Sequence, residues 1–360
     1  MSHAPLGVAF IGGGFMADVH SRAARAAGAR IVGVTSSSPA GSRVAADRIG
    51  ADVAFDDVDA LLADPAIDVV HVVTPNATHH ELTTRVLAAG KHVVCEKPLA
   101  TTVADALDLE QRAAAAGVVA TVPFVYRFHP MVREARARVA AGQVGQLFSV
   151  QGAYLQDWLL AADDDNWRVS TEAGGASRAF ADIGSHLCDL LEFVTGDRLA
   201  RVQALTSTVF AERASTGPVH TEDLAGVLAQ THAGAVVSLL VSQVAPGRKN
   251  GLVLELHGAT ESLRFEQERP EELWIGARTG SRAHLRNNDE LHPDAARLAV
   301  LPPGHPLGYQ DAFTAFAADT YAAVRGTHPE GLPVFADGVR AARITDAVLA
   351  SARKGTWSEL

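Results

Sequence analysis

Cysteine is scarce in this 360-residue chain: only Cys95 and Cys188 occur, and neither sits in a C-x-x-C spacing. A disulfide framework or a structural zinc site therefore has nothing to stand on. Basic residues are outnumbered, 31 Lys and Arg against 41 Asp and Glu, for a formal net charge of -10. An extended nucleic-acid or anionic-membrane footprint needs Lys and Arg clustered on one face, so neither is expected as a partner. Long apolar runs are missing as well. The opening "MSHAPLGVAFIGGG" has no basic start, and its apolar run stops at a glycine cluster, too short for a signal peptide or a membrane span. A cytoplasmic location is expected.

What is present, 48% hydrophobic and 20% charged residues, is ordinary for a soluble globular chain. The length exceeds what one compact core usually holds, and two domains are expected, over 1–123 and 124–360, with the last helices packing back on the first domain. Over the first of these, apolar runs "LGVAFI" (6–11), "RIVGV" (30–34), "VVHVV" (69–73), "HVVC" (92–95) and "VVATV" (118–122) alternate with helical patterns. Strand, helix, strand repeated in this way predicts an α/β fold, a doubly wound parallel sheet of Rossmann type covered on both faces.

Directly after the first run comes "GGGFMA", which places Gly12, Gly14 and Ala17 in G-x-G-x-x-[GA] spacing. The first glycine makes the turn, the second lets backbone approach a pyrophosphate, and the small third residue lets helix pack on strand, with the helix N-terminus favouring phosphate charge. Alone the motif is weak; opening an alternating array, it predicts a nicotinamide dinucleotide site. At the second strand's end an acidic residue would bind the ribose 2'-hydroxyl of NAD, but the chain reads "VTSSSPAGSR". Ser36, Ser37 and Arg43 would suit a 2'-phosphate, a slight lean to NADP over NAD; the same serines also suit a polar turn that caps the next helix.

Ligands of open parallel sheets bind outside the carboxyl ends of the strands. "TPNATHH" and "EKP" leave two such ends, so the expected cofactor set is Gly12, Gly14, Phe15, Met16, Ser36, Ser37, Arg43, Thr74, Pro75, Asn76, His79, Glu96 and Lys97. Glu96 and Lys97 emerge where the nicotinamide ring should lie.

After Pro123 the pattern changes to a helical run at 129–141 and long alternating runs at 148–155, 202–210, 223–231, 235–243 and 252–258. They predict an α+β domain with a large, mostly antiparallel sheet. Between the first two lies "GGASRAFADIGSHLCDLLEFVTG", read as a helix from near Gly184 to Gly196. Asp182 and His186, four residues apart, should share one side of its first turn. A histidine there can accept a proton near neutral pH while the carboxylate orients it or holds a hydroxyl; the plainer reading is a cap and a packing residue. No third His or Cys stands at a recognisable ligand spacing beside them, and no metal is expected.

In this order, "GGGFMADVH", "TPNATHHE", "CEKPLA" and "GGASRAFADIGSHLCD" resemble the Gfo/Idh/MocA family, the glucose-fructose oxidoreductase and inositol dehydrogenase group, over essentially the whole chain. The resemblance implies a catalytic set of Lys97, Asp182 and His186. A finer likeness of "AYLQDWLL" and "NWRVS" to levoglucosan-type and inositol-type sugar dehydrogenases implies a sugar pocket lined by Gln156, Asp157, Trp158, Trp167 and Arg168, with Tyr126 and Tyr309 as further candidates. Many relatives carry an acidic residue at the second strand's end, and its absence here leaves the cofactor open.

The expectation is an NAD(P)-dependent dehydrogenase that oxidises a secondary hydroxyl of a cyclic sugar, sugar derivative or inositol, or reduces the matching ketone, as a homodimer or homotetramer joined through one sheet face. Two other readings stay open on the same fold: a glycosidase that uses bound NAD to oxidise and eliminate, and a non-catalytic nucleotide-sensing regulator.

Overall fold

The computed structural model describes residues 4–214 and 217–360; Met1 to His3, part of the stretch read above for a leader, lie outside them. Contacts gather the chain into two compact units, Met1–Val125 with Tyr309–Arg340, and Tyr126–Gly308 with Ala341–Leu360.

The first unit carries strands β1 (Gly7–Ile11), β2 (Arg30–Thr35), β3 (Val53–Ala54), β4 (Val69–Val72), β5 (His92–Cys95) and β6 (Ala120–Thr121), joined by helices α1 (Phe15–Ala26), α2 (Pro39–Ile49), α3 (Val58–Ala63), α4 (His79–Ala88) and α5 (Val103–Ala116). Its sheet is parallel in the order β3-β2-β1-β4-β5-β6. Strand order reverses beside β1, which opens a crevice at the carboxyl edge. Every residue of β1 is buried, as a strand covered on both faces requires. Local chemistry sets the helix ends: the Ser38 hydroxyl accepts from the Gly41 N–H at 3.1 Å with Pro39 just inside, and Gly50, in the left-handed region at φ 63°, closes α2. β3, two residues long, had no run of its own in the sequence pattern.

The second unit holds helices α6 (Pro130–Ala140), α7 (Thr171–Gly174), α8 (Ser185–Thr195) and α9 (Pro293–Ala296). Its strands are β7 (Leu147–Leu155), β8 (Leu199–Ser207), β9 (Glu212–Arg213), β10 (Gly217–Pro218), β11 (Leu224–Thr231), β12 (Val236–Ser242), β13 (Gly251–Gly258), β14 (Ser262–Glu266), β15 (Glu272–Ala277), β16 (Gly280–Leu285) and β17 (Ser358–Glu359). Helix α10 (Tyr309–Val324) belongs to the first unit, and α11 (Phe335–Lys354) supplies residues to both.

Nine of these strands form one sheet, β16-β15-β14-β13-β7-β12-β11-β8-β17, antiparallel except where β12 runs parallel to β7. Four strands beyond Gly258 were not anticipated, although "SLRFE" alternates buried and exposed positions as a half-covered strand should. The strand expected at 202–210 starts earlier, at Leu199, where β11 pairing begins. Helices α6 and α8 pack on one face. On alternating positions of the sheet, Leu205, Leu228, Val236 and Leu240 stay exposed.

The segment before α8 also differs from expectation. Phe180–Gly184 is a π-helical turn, so Asp182 stands on that wider turn and only His186 lies in the α-helix proper.

Candidate active site

In the first unit the site begins at the β1–α1 turn. Gly12 has φ 112°, and a Cβ there would come within 2.7 Å of the Val73 carbonyl oxygen. Only glycine fits. Gly14 is the N-cap of α1 with no side chain satisfying the helix end, and nothing stands within 4 Å of where its Cβ would be. Open space, unsatisfied N–H groups and the positive helix end fit a pyrophosphate. Phe15 is exposed and Met16 half-buried beside this turn. A residue missed in the sequence braces it: Arg48 donates to the carbonyls of Gly13 and Gly14 and pairs with Asp18 at 2.7 Å.

At the β2 end, the Ser36 N–H donates to the Ser42 hydroxyl at 2.9 Å, Ser37 is exposed, and Ser38 does the capping. Arg43 is exposed on α2 and takes no partner among the described residues. Beyond β4, the Thr78 hydroxyl donates to that of Thr74 at 2.7 Å, Pro75 is exposed and Asn76 is buried. His79 is fully buried with its two ring nitrogens against the carbonyl oxygens of Pro98 (2.7 Å) and Thr74 (2.9 Å). It ties the two edge loops together. Burial pulls its pKa down, so the neutral ring donates to one carbonyl at a time.

Glu96 and Lys97 leave β5 at the same edge, Glu96 buried and Lys97 half-buried. The Glu96 carboxylate accepts from the Lys97 N–H at 3.1 Å and from His20 at 2.8 Å. Tyr309 opens α10 in this unit, its ring 5.0 Å from that of Phe313.

The second unit gathers a polar cluster around the π turn. Asp182 accepts from the Gln243 amide at 2.8 Å, and the Arg168 guanidinium lies 3.5 Å away on its other oxygen. The His186 ring is buried, and the Tyr126 ring meets it edge-on at 5.0 Å. Tyr126 shares hydrogen bonds with the hydroxyl of Tyr154 and the amide of Asn250. Asn250 in turn accepts from Tyr154 (2.7 Å) and Gln156 (3.0 Å), and Gln156 accepts from the Trp158 indole at 2.8 Å. Burial pushes the Tyr126 phenol up and the nearby Asp182 charge adds to it, so it serves as a neutral hydrogen-bonding group.

Around this core, Arg168 stacks over the Trp167 ring at 4.3 Å. Asp157 accepts from Lys249 (2.7 Å) and the Gly247 N–H, and Lys249 holds its carboxyl below the usual range. Arg127 grips Asp189 with two nitrogens and lies over Phe193, so it ties the Tyr126 segment to α8. Among the described residues no group of three His, Cys, Asp or Glu side chains is placed to hold a metal.

Gln243 and Asn250 were missed in the sequence. Gln243 ended a run read only as a strand, and Asn250 sits in the turn "GRKNG", where polar residues are ordinary. A third omission is Arg213. Its guanidinium, fully buried with Asp223, donates to the carbonyls of Leu159, Ala161 and Asp164, fixing the loop that follows Trp158.

Family models match both units: an oxidoreductase family with an NAD-binding Rossmann fold over residues 6–124, and the GFO/IDH/MocA C-terminal domain over 132–264. The levoglucosan dehydrogenase of Pseudarthrobacter phenanthrenivorans is 31% identical, the alignment covering 99% of this chain and 98% of that protein. The chain belongs to the Gfo/Idh/MocA family. It is thus an NAD(P)-dependent oxidoreductase.

Solved members superpose over the whole length of this Gfo/Idh/MocA protein. An oxidoreductase domain protein from Kribbella flavida matches with TM-score 0.92 at 35% identity, covering 99% of each chain. A levoglucosan dehydrogenase in complex with NADH and levoglucosan gives 0.92 at 32%, again over 99% of each. The inositol dehydrogenase homologue of Azotobacter vinelandii, complexed with NAD+, gives 0.89 at 26% over the full length of both. Among the described residues no helix is long and apolar enough to cross a membrane.

Proposed function

We propose that this protein oxidises a secondary hydroxyl of a cyclic sugar, sugar derivative or inositol, or reduces the matching ketone, with His186 as proton acceptor, Asp182 orienting the hydroxyl and Lys97 supporting the developing alkoxide. The observation that carries the reading is the cluster of Asp182, His186, Gln156 and Trp158 held by Asn250 and Gln243. It offers several aligned polar groups to hydroxyls and an indole that can face ring C–H bonds, which is what binds a polyol. The dinucleotide, when bound along the carboxyl edge of the first sheet, supplies the hydride acceptor. For each sugar oxidised, one hydride leaves carbon and one proton leaves oxygen, giving ketone, reduced nicotinamide and a proton.

At the β2 edge, Ser36, Ser37 and the unpartnered Arg43 support acceptance of a 2'-phosphate, so NADP is used as well as NAD. The chain works as a homo-oligomer in the cytoplasm, the open sheet face bearing Leu205, Leu228 and Leu240 meeting a second copy.

The test is the reduced-nicotinamide absorbance band, followed with NAD and NADP in parallel over cyclic sugars, anhydrosugars, glycosides and inositols. Reduction of either cofactor by a member of the panel is expected. Glycoside cleavage without added cofactor would move the redox-elimination reading ahead, and tight cofactor binding with no chemistry on any of them would favour a sensor.

A further inference from the structure

Behind the first unit's catalytic edge runs a buried chain of four titratable groups that the mechanism above leaves unused. His20 Nε2 lies 2.8 Å from Glu96 Oε1, His20 Nδ1 lies 2.9 Å from His71 Nδ1, and His71 Nε2 lies 3.0 Å from the Tyr321 hydroxyl. Exposure falls from 6% at Glu96 to 1% at both histidines and none at Tyr321. The rings of Phe313 and Phe10 seal the histidines at 4.9 and 5.1 Å. The four groups come from α1, β4, the residue just after β5, and α10, so nothing local in the sequence brings them together.

Hydrogen-bond logic allows this chain two proton counts. With Glu96 ionised and both histidines neutral, every donor points toward the carboxylate: Tyr321 to His71, His71 Nδ1–H to His20, His20 Nε2–H to Glu96. The net charge is then minus one. One further proton turns the His20–His71 and His71–Tyr321 bonds around, His71 now carrying its proton on Nε2 toward Tyr321, and the charge falls to zero. No bond is lost in either state. Burial and the facing His20 charge both pull the His71 pKa down, which keeps His71 the neutral member. The other charged or titratable groups acting on the chain are Lys97 and the Cys95 thiol on β5, His79 on α4, whose ring feels the Glu96 charge, and Arg325 beyond α10, which acts on Tyr321.

The pyrophosphate turn follows β1 and the adenosine half belongs over β2, which leaves β4 and β5 for the nicotinamide half. We propose that Glu96, His20, His71 and Tyr321 form a one-proton store whose charge answers that of the nicotinamide ring: minus one opposite the cationic oxidised ring, and readier to become neutral when the ring is reduced. It rests on the reading that a nicotinamide dinucleotide lies along this edge. His20, His71 and Tyr321 are positioning residues, acting through Glu96. By linkage, oxidised cofactor loses affinity relative to reduced cofactor as pH falls through the store's titration.

The experiment measures dissociation constants of oxidised and reduced cofactor by calorimetry from pH 5.5 to 9, for the wild type, His71→Leu and Tyr321→Phe, with 15N-histidine spectra of the wild type alongside. The ratio of oxidised to reduced dissociation constants should rise about 5-fold to 150-fold on acidification of the wild type. His71→Leu should flatten that rise, because a second proton on His20 would have no acceptor. Tyr321→Phe should move it to lower pH. At the alkaline end the spectra should show His20 protonated at Nε2 alone and His71 at Nδ1 alone. A ratio that is flat in the wild type, or the same in all three proteins, would overturn the store, as would the opposite tautomers. If His71→Leu does not fold, Tyr321→Phe and the spectra decide. Turnover with a flat ratio removes the store and leaves the dehydrogenase; a pH-linked ratio with no turnover on any sugar does the reverse.

Discussion

Replacing Arg213 with methionine should cost both stability and sugar binding. The Arg213 and Asp223 side chains are completely buried and 3.1 Å apart, and the same guanidinium donates to three loop carbonyls at 2.6–2.9 Å. Methionine keeps much of the volume over the Phe210 ring, which the guanidinium now covers at 4.8 Å, so the loss is mainly electrostatic. Breaking one partner out of a buried ion pair costs about 3–5 kcal/mol. The lower end applies, because Asp223 keeps Arg178 and the N–H groups of Val209 and Phe210, and the freed carbonyls of Leu159, Ala161 and Asp164 can turn to water once the loop lifts. Denaturant unfolding followed by tryptophan fluorescence reads the stability, and steady-state kinetics read the loop. A rise in sugar KM larger than any fall in kcat is expected, since Trp158 packs on the buried Leu159, Val169 and Val219 beside that loop. A loss under about 1 kcal/mol with unchanged KM would refute the idea that Arg213 holds the sugar loop.

Three further outcomes are expected. His186→Ala should lose most turnover at every pH while still binding cofactor, checked by steady-state rates and calorimetry; near-normal turnover would remove His186 as proton acceptor. Arg43→Ala should weaken NADP several-fold in KM and leave NAD unchanged, because its guanidinium would contact only the 2'-phosphate. His129, fully buried against Tyr126 and Phe265, has its pKa pushed down to about 4 by desolvation. A group with a depressed folded pKa binds the proton more readily when unfolded, so stability is whole above the ordinary histidine value of about 6.5 and is lost as pH falls toward 4, by about 3 kcal/mol. His129→Phe should remove that share of the acid sensitivity in unfolding titrations between those pH values.

The first unit was legible because its signals are local. Apolar runs bounded by glycines mark buried parallel strands, and the Gly12 turn needs a conformation and a closeness to Val73 that only glycine allows. Legibility fell where distant segments meet. The alternation in "SLRFE" was there to be read, yet the π turn that carries Asp182 has no sequence mark, because one inserted residue in a helix changes hydrogen bonding without changing composition. In the candidate site, Asp182 and His186 could be picked by type and spacing. Gln243 and Asn250, which hold Asp182 and Tyr126, are neutral amides in a strand end and a turn, and only the folded register of β12 and β13 gives them partners. His20 and His71 were invisible for the same reason, one on a helix and one on a strand, joined to each other, and through His20 to Glu96, by the fold alone.

The central claim is that a hydride passes from a sugar carbon to the nicotinamide ring. The most direct measurement uses carbon-perdeuterated glucose and myo-inositol with NAD and with NADP, and reads the mass of the reduced cofactor. The account predicts reduced nicotinamide heavier by one mass unit than that formed from the unlabelled substrate, with a slowed rate where hydride transfer limits turnover. Reduced cofactor of unshifted mass, formed at an undiminished rate, would contradict it.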